Sequence, residues 1–169
     1  MGKVRNVLFL CSGNTSRSPG AEYIAKWLKE TKFKDDLKDV NFDSAGLYSY
    51  YKTPRDGTAK YLNDKGIDFS DFKGKQIDED LIFKQDLILG FEEQWHIKKF
   101  KRKFKNIKNL DDKVFLLFDF IGEKDNIEIP DPIDFEPDEY QKVMEKVEFG
   151  VEKALKKIIE INKKVEENN

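Results

Sequence analysis

Short apolar runs alternate with segments of helical periodicity along the chain, and this alternation constrains the fold more than any other feature. The apolar runs have strand length, are bounded by polar or glycine residues, and cover residues 4–10, 40–42, 86–89 and 114–118. The intervening apolar spacing predicts helices over residues 19–28, 58–65, 78–84, 92–103 and 137–165. Strands that alternate with helices form parallel sheets covered on both faces. We therefore predict an α/β fold with an open sheet of about four parallel strands and helices on both faces.

Length and composition narrow the class of protein. The 169 residues suit a single domain over 1–169, with a frayed tail expected at about 163–169. Lys and Arg total 31 against 33 Asp and Glu, a balance that argues against a dedicated nucleic-acid binder. No apolar run is long enough to cross a membrane, and the first residues lack the apolar region of a signal peptide. Cys11 is the one cysteine, so no intrachain disulfide can form and we expect a cytoplasmic protein.

The loop after the first strand carries the strongest chemical signal. In a parallel sheet, ligands bind beyond the carboxyl ends of the strands, and here that end is Cys11. A loop between a strand and a helix directs backbone N–H groups at one small volume, which suits a tetrahedral oxyanion. Gly13 and Asn14 tolerate the positive φ that such a loop needs, and Arg17 offers a planar fork for two phosphate oxygens. The expected phosphate-binding residues are Ser12, Gly13, Asn14, Thr15, Ser16, Arg17 and Ser18. The alternative for a lone thiol is a buried structural cysteine.

Several motifs together resemble the low-molecular-weight protein tyrosine phosphatase family. The principal motif is VLFLCSGNTSRSPGAE at residues 7–22, which is similar to the family's phosphate-binding loop. Further likeness lies in DSAG at 43–46, KGID at 65–68, DLIL at 86–89, IPDP at 129–132 and the following Tyr140. The resemblance implies a flavodoxin-like sheet and hydrolysis of phosphate monoesters through a phosphocysteine intermediate, with neither metal nor cofactor.

The resemblance also assigns the catalytic roles. Cys11 would be the nucleophile, Arg17 would hold the phosphate oxygens, and Asp131 would be the general acid and base. Prolines on both sides of Asp131 favour an extended arm that could hold the carboxylate over the site, although a Pro-Asp-Pro sequence can also be a surface turn. The single histidine, His96, is predicted to be a surface residue of the helix over 92–103.

Supporting roles and departures follow from the same comparison of motifs. Ser18 is placed to donate a hydrogen bond to the thiolate and is also a potential N-cap of the first helix. The resemblance implies that Ser44 braces Asn14, although Ser44 could equally be an ordinary cap at a strand end. The chain departs from the family pattern at three places: Ser16 replaces a second cysteine, Phe72 replaces a bracing histidine, and Gly90-Phe91 replaces a Met-acidic pair.

Substrate preference depends on the residues at the mouth of the site, which by resemblance are Ser12, Thr15, Tyr50 and Ile133. Tyr50 falls where an aromatic wall stacks on phosphotyrosine. Thr15 points to the protein-arginine phosphatase branch, in which a threonine hydroxyl assists attack on the P–N bond. We expect a phosphorylated protein or peptide as substrate, with phosphotyrosine as the first candidate and phosphoarginine as the alternative.

Two other function classes remain for comparison. Thiol-dependent arsenate reductases share the fold but need further cysteines, which this chain lacks. A non-catalytic phosphate-binding module would be favoured if Cys11 or Asp131 had been replaced, and both are present. No spacing typical of metal ligands occurs, so no metal site is expected, and no membrane or nucleic-acid partner is expected either.

Overall fold

The computed structural model describes residues 1–168 as one parallel sheet with helices on both faces. The strands are β1 (Asn6–Cys11), β2 (Asn41–Gly46), β3 (Leu87–Gly90) and β4 (Val114–Leu116). The α-helices are α1 (Arg17–Thr31), α2 (Asp56–Asp64), α3 (Glu79–Lys84), α4 (Lys99–Lys103), α5 (Leu117–Phe120) and α6 (Pro137–Glu167). A π-helix over Glu93–Lys98 precedes α4, and a 3₁₀ turn spans Leu110–Asp112.

The order of the strands places β1 in the interior of the sheet, between β2 and β3. The sheet runs β2-β1-β3-β4, and every neighbouring pair is parallel. The chain therefore leaves β1 toward one edge of the sheet and later returns to the other side of the same strand. Ligands in such sheets bind at this reversal of strand order, beyond the carboxyl ends. Cys11, the last residue of β1, lies at that point.

The alternation of side chains along β1 divides the core into two layers. Val7 and Phe9 face a hydrophobic cluster built with α1, α2, α5 and α6. Leu8 and Leu10 face a second cluster that includes residues of α3, the π-helix and α4. Successive side chains of a strand point to opposite faces, so a wholly apolar strand must be covered on both sides. The predicted α/β architecture with about four parallel strands is confirmed.

Several predicted boundaries were wrong. Helix α1 begins at Arg17, so Ser16 and not Ser18 is the N-cap, and neither hydroxyl caps the helix. The fourth strand ends at Leu116 because the chain turns there into α5. The tail that we expected to fray remains helical to Glu167, stabilised by ion pairs from Lys163 to Asp36 and from Glu166 to Lys3. Asn169 lies outside the described residues.

Helix α6 is attached to the start of the sheet by a side-chain amide. The buried Asn162 accepts a hydrogen bond of 2.7 Å from the backbone N–H of Val4 and donates one of 2.8 Å to its carbonyl oxygen. Buried backbone groups need such partners because water cannot reach them. Within residues 1–168 no helix is long and apolar enough to cross a bilayer, since the polar face of α6 interrupts its apolar stripe.

We expect Asn162→Leu to lower the free energy of unfolding by about 2–4 kcal/mol, because it leaves two buried backbone groups without partners. Urea unfolding followed by circular dichroism measures the change. Glu160→Leu, at an exposed position of the same helix, is the matched control and should stay within about 0.5 kcal/mol of the parent. Equal losses in the two variants would contradict the role of the amide.

Candidate active site

The loop from β1 to α1 is shaped by hydrogen bonds to its carbonyl oxygens. Those of Cys11 and Ser12 accept from the backbone N–H groups of Leu47 (2.8 Å) and Tyr48 (3.0 Å), and that of Thr15 accepts from the N–H of Arg55 (2.7 Å). In a trans peptide the N–H points opposite to the carbonyl. The N–H groups that follow these three carbonyls are therefore turned away from the surrounding chain, as an anion-binding loop requires.

The thiol of Cys11 lies beside a serine hydroxyl. Its sulfur lies 2.9 Å from the hydroxyl oxygen of Ser18, and both side chains are buried. That hydroxyl oxygen accepts a hydrogen bond of 3.0 Å from the side-chain amide of Asn14. Its own proton can be directed at the sulfur or, over a longer distance of 3.5 Å, at the carbonyl oxygen of Ala45, and when Cys11 is a thiolate the serine is the donor in the 2.9 Å contact. Of the two roles predicted for Ser18, the structure places its hydroxyl at the cysteine and not at the helix terminus.

Asn14 is the strained residue of the loop. Its φ is 48°, in the left-handed region that asparagine tolerates better than most residues, and it is fully buried. Its amide nitrogen also donates to the hydroxyl of Ser44 (2.9 Å), and its amide oxygen accepts from the backbone N–H of Lys75 (3.0 Å). Ser44 in turn donates to the carboxylate of Glu22 (2.5 Å). Burial raises the pKa of Glu22, and hydrogen bonds from Lys26 and Ser44 oppose that rise.

These contacts account for two of the departures from the family pattern. Phe72 occupies the position at which the family pattern has a bracing histidine. It packs into the core edge-to-face against Tyr23, with ring centroids 6.1 Å apart. The backbone N–H of Lys75, three residues later, bonds to Asn14. Ser16 is buried, and its carbonyl accepts a hydrogen bond of 3.1 Å from the hydroxyl of Thr58.

Arg17 is buried at the start of α1 with only 1% of its surface exposed. Its Nη1 donates to the carboxylate of Glu92 (2.7 Å) and to the carbonyl oxygen of Ile129 (2.7 Å). Its Nη2 lies 3.4 Å from a carboxylate oxygen of Asp131, and its Nε has no hydrogen-bond partner among residues 1–168. One side of the guanidinium is therefore anchored, while the Nε side can bind an oxyanion.

Asp131 is the third predicted catalytic residue, and the structure brings it to Arg17. Its side chain is 43% exposed, and one carboxylate oxygen also accepts a hydrogen bond of 3.2 Å from the N–H of Ile133. Two hydrogen bonds of Ile129 anchor the segment. Its N–H donates to the carbonyl oxygen of Phe91 (2.8 Å), and its carbonyl oxygen accepts from Arg17. The carboxylate therefore reaches over the site from a short, anchored loop.

The predicted substrate-lining residues lie in different surroundings. Thr15 is partly exposed within it, and Ser12 contacts the neighbouring His96. Ile133 is half exposed and lines a cavity of about 460 Å³ with residues of α2 and the start of α6. Tyr50 is 55% exposed on the loop after β2, where the neighbouring Tyr51 has its ring against Gly13. Tyr50 as an aromatic wall stays a prediction.

Two site residues were missed by the sequence analysis. Glu92 supplies the carboxylate for Arg17, one position after the Gly90-Phe91 pair that we noted as lacking an acid. His96 was predicted to lie on the surface but is completely buried in the π-helix. Its Nδ1 accepts from the backbone N–H groups of Phe91 (3.0 Å) and Glu92 (3.1 Å), so the proton of the neutral ring is on Nε2. Nε2 lies 3.4 Å from the hydroxyl of Ser12 and 3.7 Å from Glu92.

Burial and the positive charge of Arg17 lower the pKa of His96 to about 2. The ring is therefore neutral at ordinary pH and tethers the phosphate loop without contributing a charge. Within residues 1–168 no group of three or more His, Cys, Asp or Glu side chains could hold a metal ion.

We expect His96 to make the protein sensitive to mild acid. The native ring stays neutral, whereas the unfolded ring takes up a proton below its ordinary pKa of 6.5, so stability falls as the pH drops through that value. Uptake of this one proton by the unfolded chain lowers the free energy of unfolding by about 2 kcal/mol between about pH 7 and about pH 5. In His96→Gln this part of the acid dependence should disappear, whatever the stability of the variant at neutral pH. Urea unfolding at both pH values measures it, and an unchanged pH dependence would contradict a neutral buried His96.

Comparison with known proteins agrees with this geometry. The family model described as low molecular weight phosphotyrosine protein phosphatase matches residues 6–167. The low molecular weight protein-tyrosine-phosphatase YfkJ of Bacillus subtilis is 28% identical over 156 residues, which cover 90% of this chain and 95% of that protein. The protein-tyrosine-phosphatase Etp of Escherichia coli K12 is 26% identical, with 92% of this chain and 96% of Etp covered.

Solved structures show the same similarity. A mutant of YwlE from Bacillus subtilis superposes with a TM-score of 0.78 at 26% identity, covering 91% of this chain and 98% of that one. A YwlE arginine phosphatase variant with a phosphorylated active-site serine gives a TM-score of 0.79 at 25% identity, covering 90% and 95%. The family match extends over nearly all of the chain and includes the phosphate loop, Arg17 and Asp131. The chain belongs to the low molecular weight phosphotyrosine protein phosphatase family.

Proposed function

We propose that this protein hydrolyses phosphotyrosine in proteins through a phosphocysteine intermediate. The observation that carries the proposal is the environment of Arg17. Its Nη1 is fixed by Glu92 and Ile129, whereas its buried Nε has no partner among residues 1–168. A buried donor without a partner costs about 1–3 kcal/mol, which a phosphate oxygen would recover. The same loop carries Cys11 with a serine hydroxyl at its sulfur.

In the first step, the thiolate of Cys11 attacks phosphorus in line with the leaving oxygen. The S–P bond forms as the P–O bond to tyrosine breaks, and the protonated carboxyl of Asp131 gives its proton to the departing phenolate oxygen. Arg17 and the loop N–H groups hold the three equatorial oxygens, where the charge is spread in the transition state. Ser18 stabilises the thiolate before attack and after its release.

In the second step, a water molecule attacks the phosphocysteine. Asp131, now a carboxylate, takes a proton from this water while the S–P bond breaks and the electron pair returns to sulfur. Inorganic phosphate leaves, and the thiolate and the protonated carboxyl are restored. The 3.4 Å contact between Asp131 and Arg17 supports this role because it places the carboxylate beside the group that would bind phosphate.

Phosphoarginine is a second candidate substrate, favoured by Thr15 at the rim of the phosphate loop. The overall similarity to a structure described as the YwlE arginine phosphatase supports it. The chemistry would be the same except that the P–N bond breaks and Asp131 protonates the guanidine nitrogen. Tyr50 and the neighbouring tyrosines support phosphotyrosine, because exposed aromatic rings favour a flat phenyl group.

We also propose that the chain acts as one domain in the cytoplasm on phosphorylated proteins. The absence of a membrane-crossing helix within residues 1–168 and the single cysteine support this location.

Phosphotyrosine and phosphoarginine peptides of one sequence should be tested side by side with the purified protein. We expect turnover of the phosphotyrosine peptide, and we expect Cys11→Ser to reduce it to background because serine is a poor nucleophile without a base. Released phosphate measures both reactions. If neither peptide is turned over while phosphate still binds, the protein is an anion-binding module and not an enzyme.

In the same assay Thr15→Ile separates the two substrates. If the threonine hydroxyl assists cleavage of the P–N bond, the variant loses turnover of phosphoarginine and keeps turnover of phosphotyrosine. Tyr50→Ala should do the reverse. A parent protein that prefers phosphoarginine would replace the main proposal with the second candidate.

Asp131→Asn should lower kcat about 10²–10⁴-fold, the usual contribution of a general acid or base. The rate of the first step should fall more for phenyl phosphate than for p-nitrophenyl phosphate, because p-nitrophenolate is the better leaving group and needs less protonation. Burst kinetics separate this step from hydrolysis of the phosphocysteine. Asp134→Asn, an exposed carboxylate three residues away, is the control and should keep nearly full activity. Equal effects of both variants would argue against a specific role for Asp131.

A further inference from the structure

One side of the mouth carries a cluster of aromatic and basic side chains, which we call the basic rim. It consists of Tyr48, Trp95, Lys98, Lys99, Arg102 and Lys103. The rim is attached to the phosphate loop at Ser12, whose carbonyl accepts from the N–H of Tyr48 (3.0 Å) and whose hydroxyl lies 3.4 Å from His96. Lys103 donates to the carbonyl of Leu47 (3.0 Å). These contacts place the rim beside the phosphate loop.

The centre of the rim is a lysine that lies close to two aromatic rings. The ammonium of Lys99 lies 3.8 Å from the ring centroid of Trp95 and 5.7 Å from that of Tyr48. These rings are 50% and 46% exposed, although both could bury much more apolar surface. Stacking against the faces of the rings holds the charge of Lys99 in place at the rim. The cluster thus offers a positive charge held next to exposed aromatic surface.

The positive charge of the rim is not neutralised locally. Among residues 1–168, Lys101 pairs with Asp111 at 2.6 Å, but Lys98, Lys99, Arg102 and Lys103 form no ion pair. The whole chain has a net charge of −2, so the rim is a local excess of positive charge on an acidic protein. Arg102 acts on the hydroxyl of Tyr48, where its positive charge opposes the burial that raises the pKa of that tyrosine.

Charge of the opposite sign follows Asp131 along the chain. The segment that carries Asp131 continues through acidic residues at Asp134, Glu136, Asp138 and Glu139. A peptide bound with its phosphate in the loop would meet positive charge at the rim, whereas the segment after Asp131 carries negative charge. Electrostatic complementarity of this kind selects partners and sets their orientation.

We propose that the basic rim binds acidic side chains that flank the phosphorylated residue, so that the protein prefers sites with Asp or Glu on one side of that residue. This inference rests on the proposed phosphatase function and specifies the class of its substrates. Binding of an anionic membrane or a nucleic acid is less favoured, because the overall charge of the chain is negative and the rim lies directly against the phosphate loop.

The test compares phosphopeptides that carry two glutamates before or after the phosphorylated residue with the matching glutamine peptides. We expect one glutamate peptide to have kcat/KM about three- to tenfold higher than its glutamine counterpart, through a lower KM. The advantage should shrink as salt increases. p-Nitrophenyl phosphate has no flanking residues and reports the phosphate site alone.

The double variant Lys99→Gln/Arg102→Gln should lose this preference. Lys153→Gln/Lys164→Gln is the matched control, because it removes two exposed charges from α6, including a lysine that lies 5.5 Å from the ring centroid of Phe149. The control should keep the full preference. If both double variants lose it, the effect comes from overall charge and the rim assignment is wrong.

The outcomes separate the inference from the function on which it rests. Turnover of p-nitrophenyl phosphate with no preference for acidic peptides overturns the rim inference and leaves the phosphatase. Failure with p-nitrophenyl phosphate and with every peptide overturns the proposed function. If the peptides inhibit without being hydrolysed, their inhibition constants replace KM in the comparison. Stronger inhibition by phosphatidylserine vesicles or by RNA than by acidic peptides would assign the rim to another partner and overturn the inference.

Discussion

A guanidinium with 1% exposure needs compensating charge and hydrogen bonds, and Arg17 obtains them from two separate parts of the chain. Glu92 comes from the turn after β3, whereas the carbonyl of Ile129 and the carboxylate of Asp131 both come from the segment before α6. These segments are far apart in sequence, so the buried cation determines how they assemble. Removing either carboxylate would unbalance a charge that has almost no access to water. The arrangement of the mouth therefore depends on the same ion pairs that make Arg17 tolerable inside the protein.

The strained Asn14 imposes a second constraint on the loop. A φ of 48° is unfavourable for a residue with a side chain, and hydrogen bonds to Ser18, Ser44 and the backbone of Lys75 offset this cost. The network joins the loop to β2 and continues through Ser44 to the buried Glu22 on α1. Because these donors and acceptors are buried, water competes poorly for them, and the loop keeps its shape before any phosphate binds.

The sequence alone predicted the parallel sheet and the phosphate loop, since strand periodicity and a contiguous loop are both local signals. Cys11 and Ser18 are seven residues apart, and the loop between β1 and α1 brings their side chains into contact. Glu92 and His96 could not be found in this way, because their positions beside Arg17 and Ser12 depend on the π-helix that follows β3. A lone histidine among Glu, Gln and Lys has the composition of a solvent-exposed helix, and only the tertiary contacts with Phe91 and Ser12 reveal its environment. The catalytic roles of Cys11, Arg17 and Asp131 stay predictions that mutagenesis must test.

The amide of Asn162 has a consequence for how the protein could be joined to others. It ties the end of α6 to Val4, and Lys3 pairs with Glu166 at 2.5 Å, so the first and last described segments lie side by side. Both lie near the amino end of β1, about 17 Å along the strand from Cys11. A domain fused at either terminus would therefore project away from the mouth and leave access to it open. The same proximity makes the fold a natural candidate for circular permutation, in which a short linker joins the old termini and new ones are opened elsewhere.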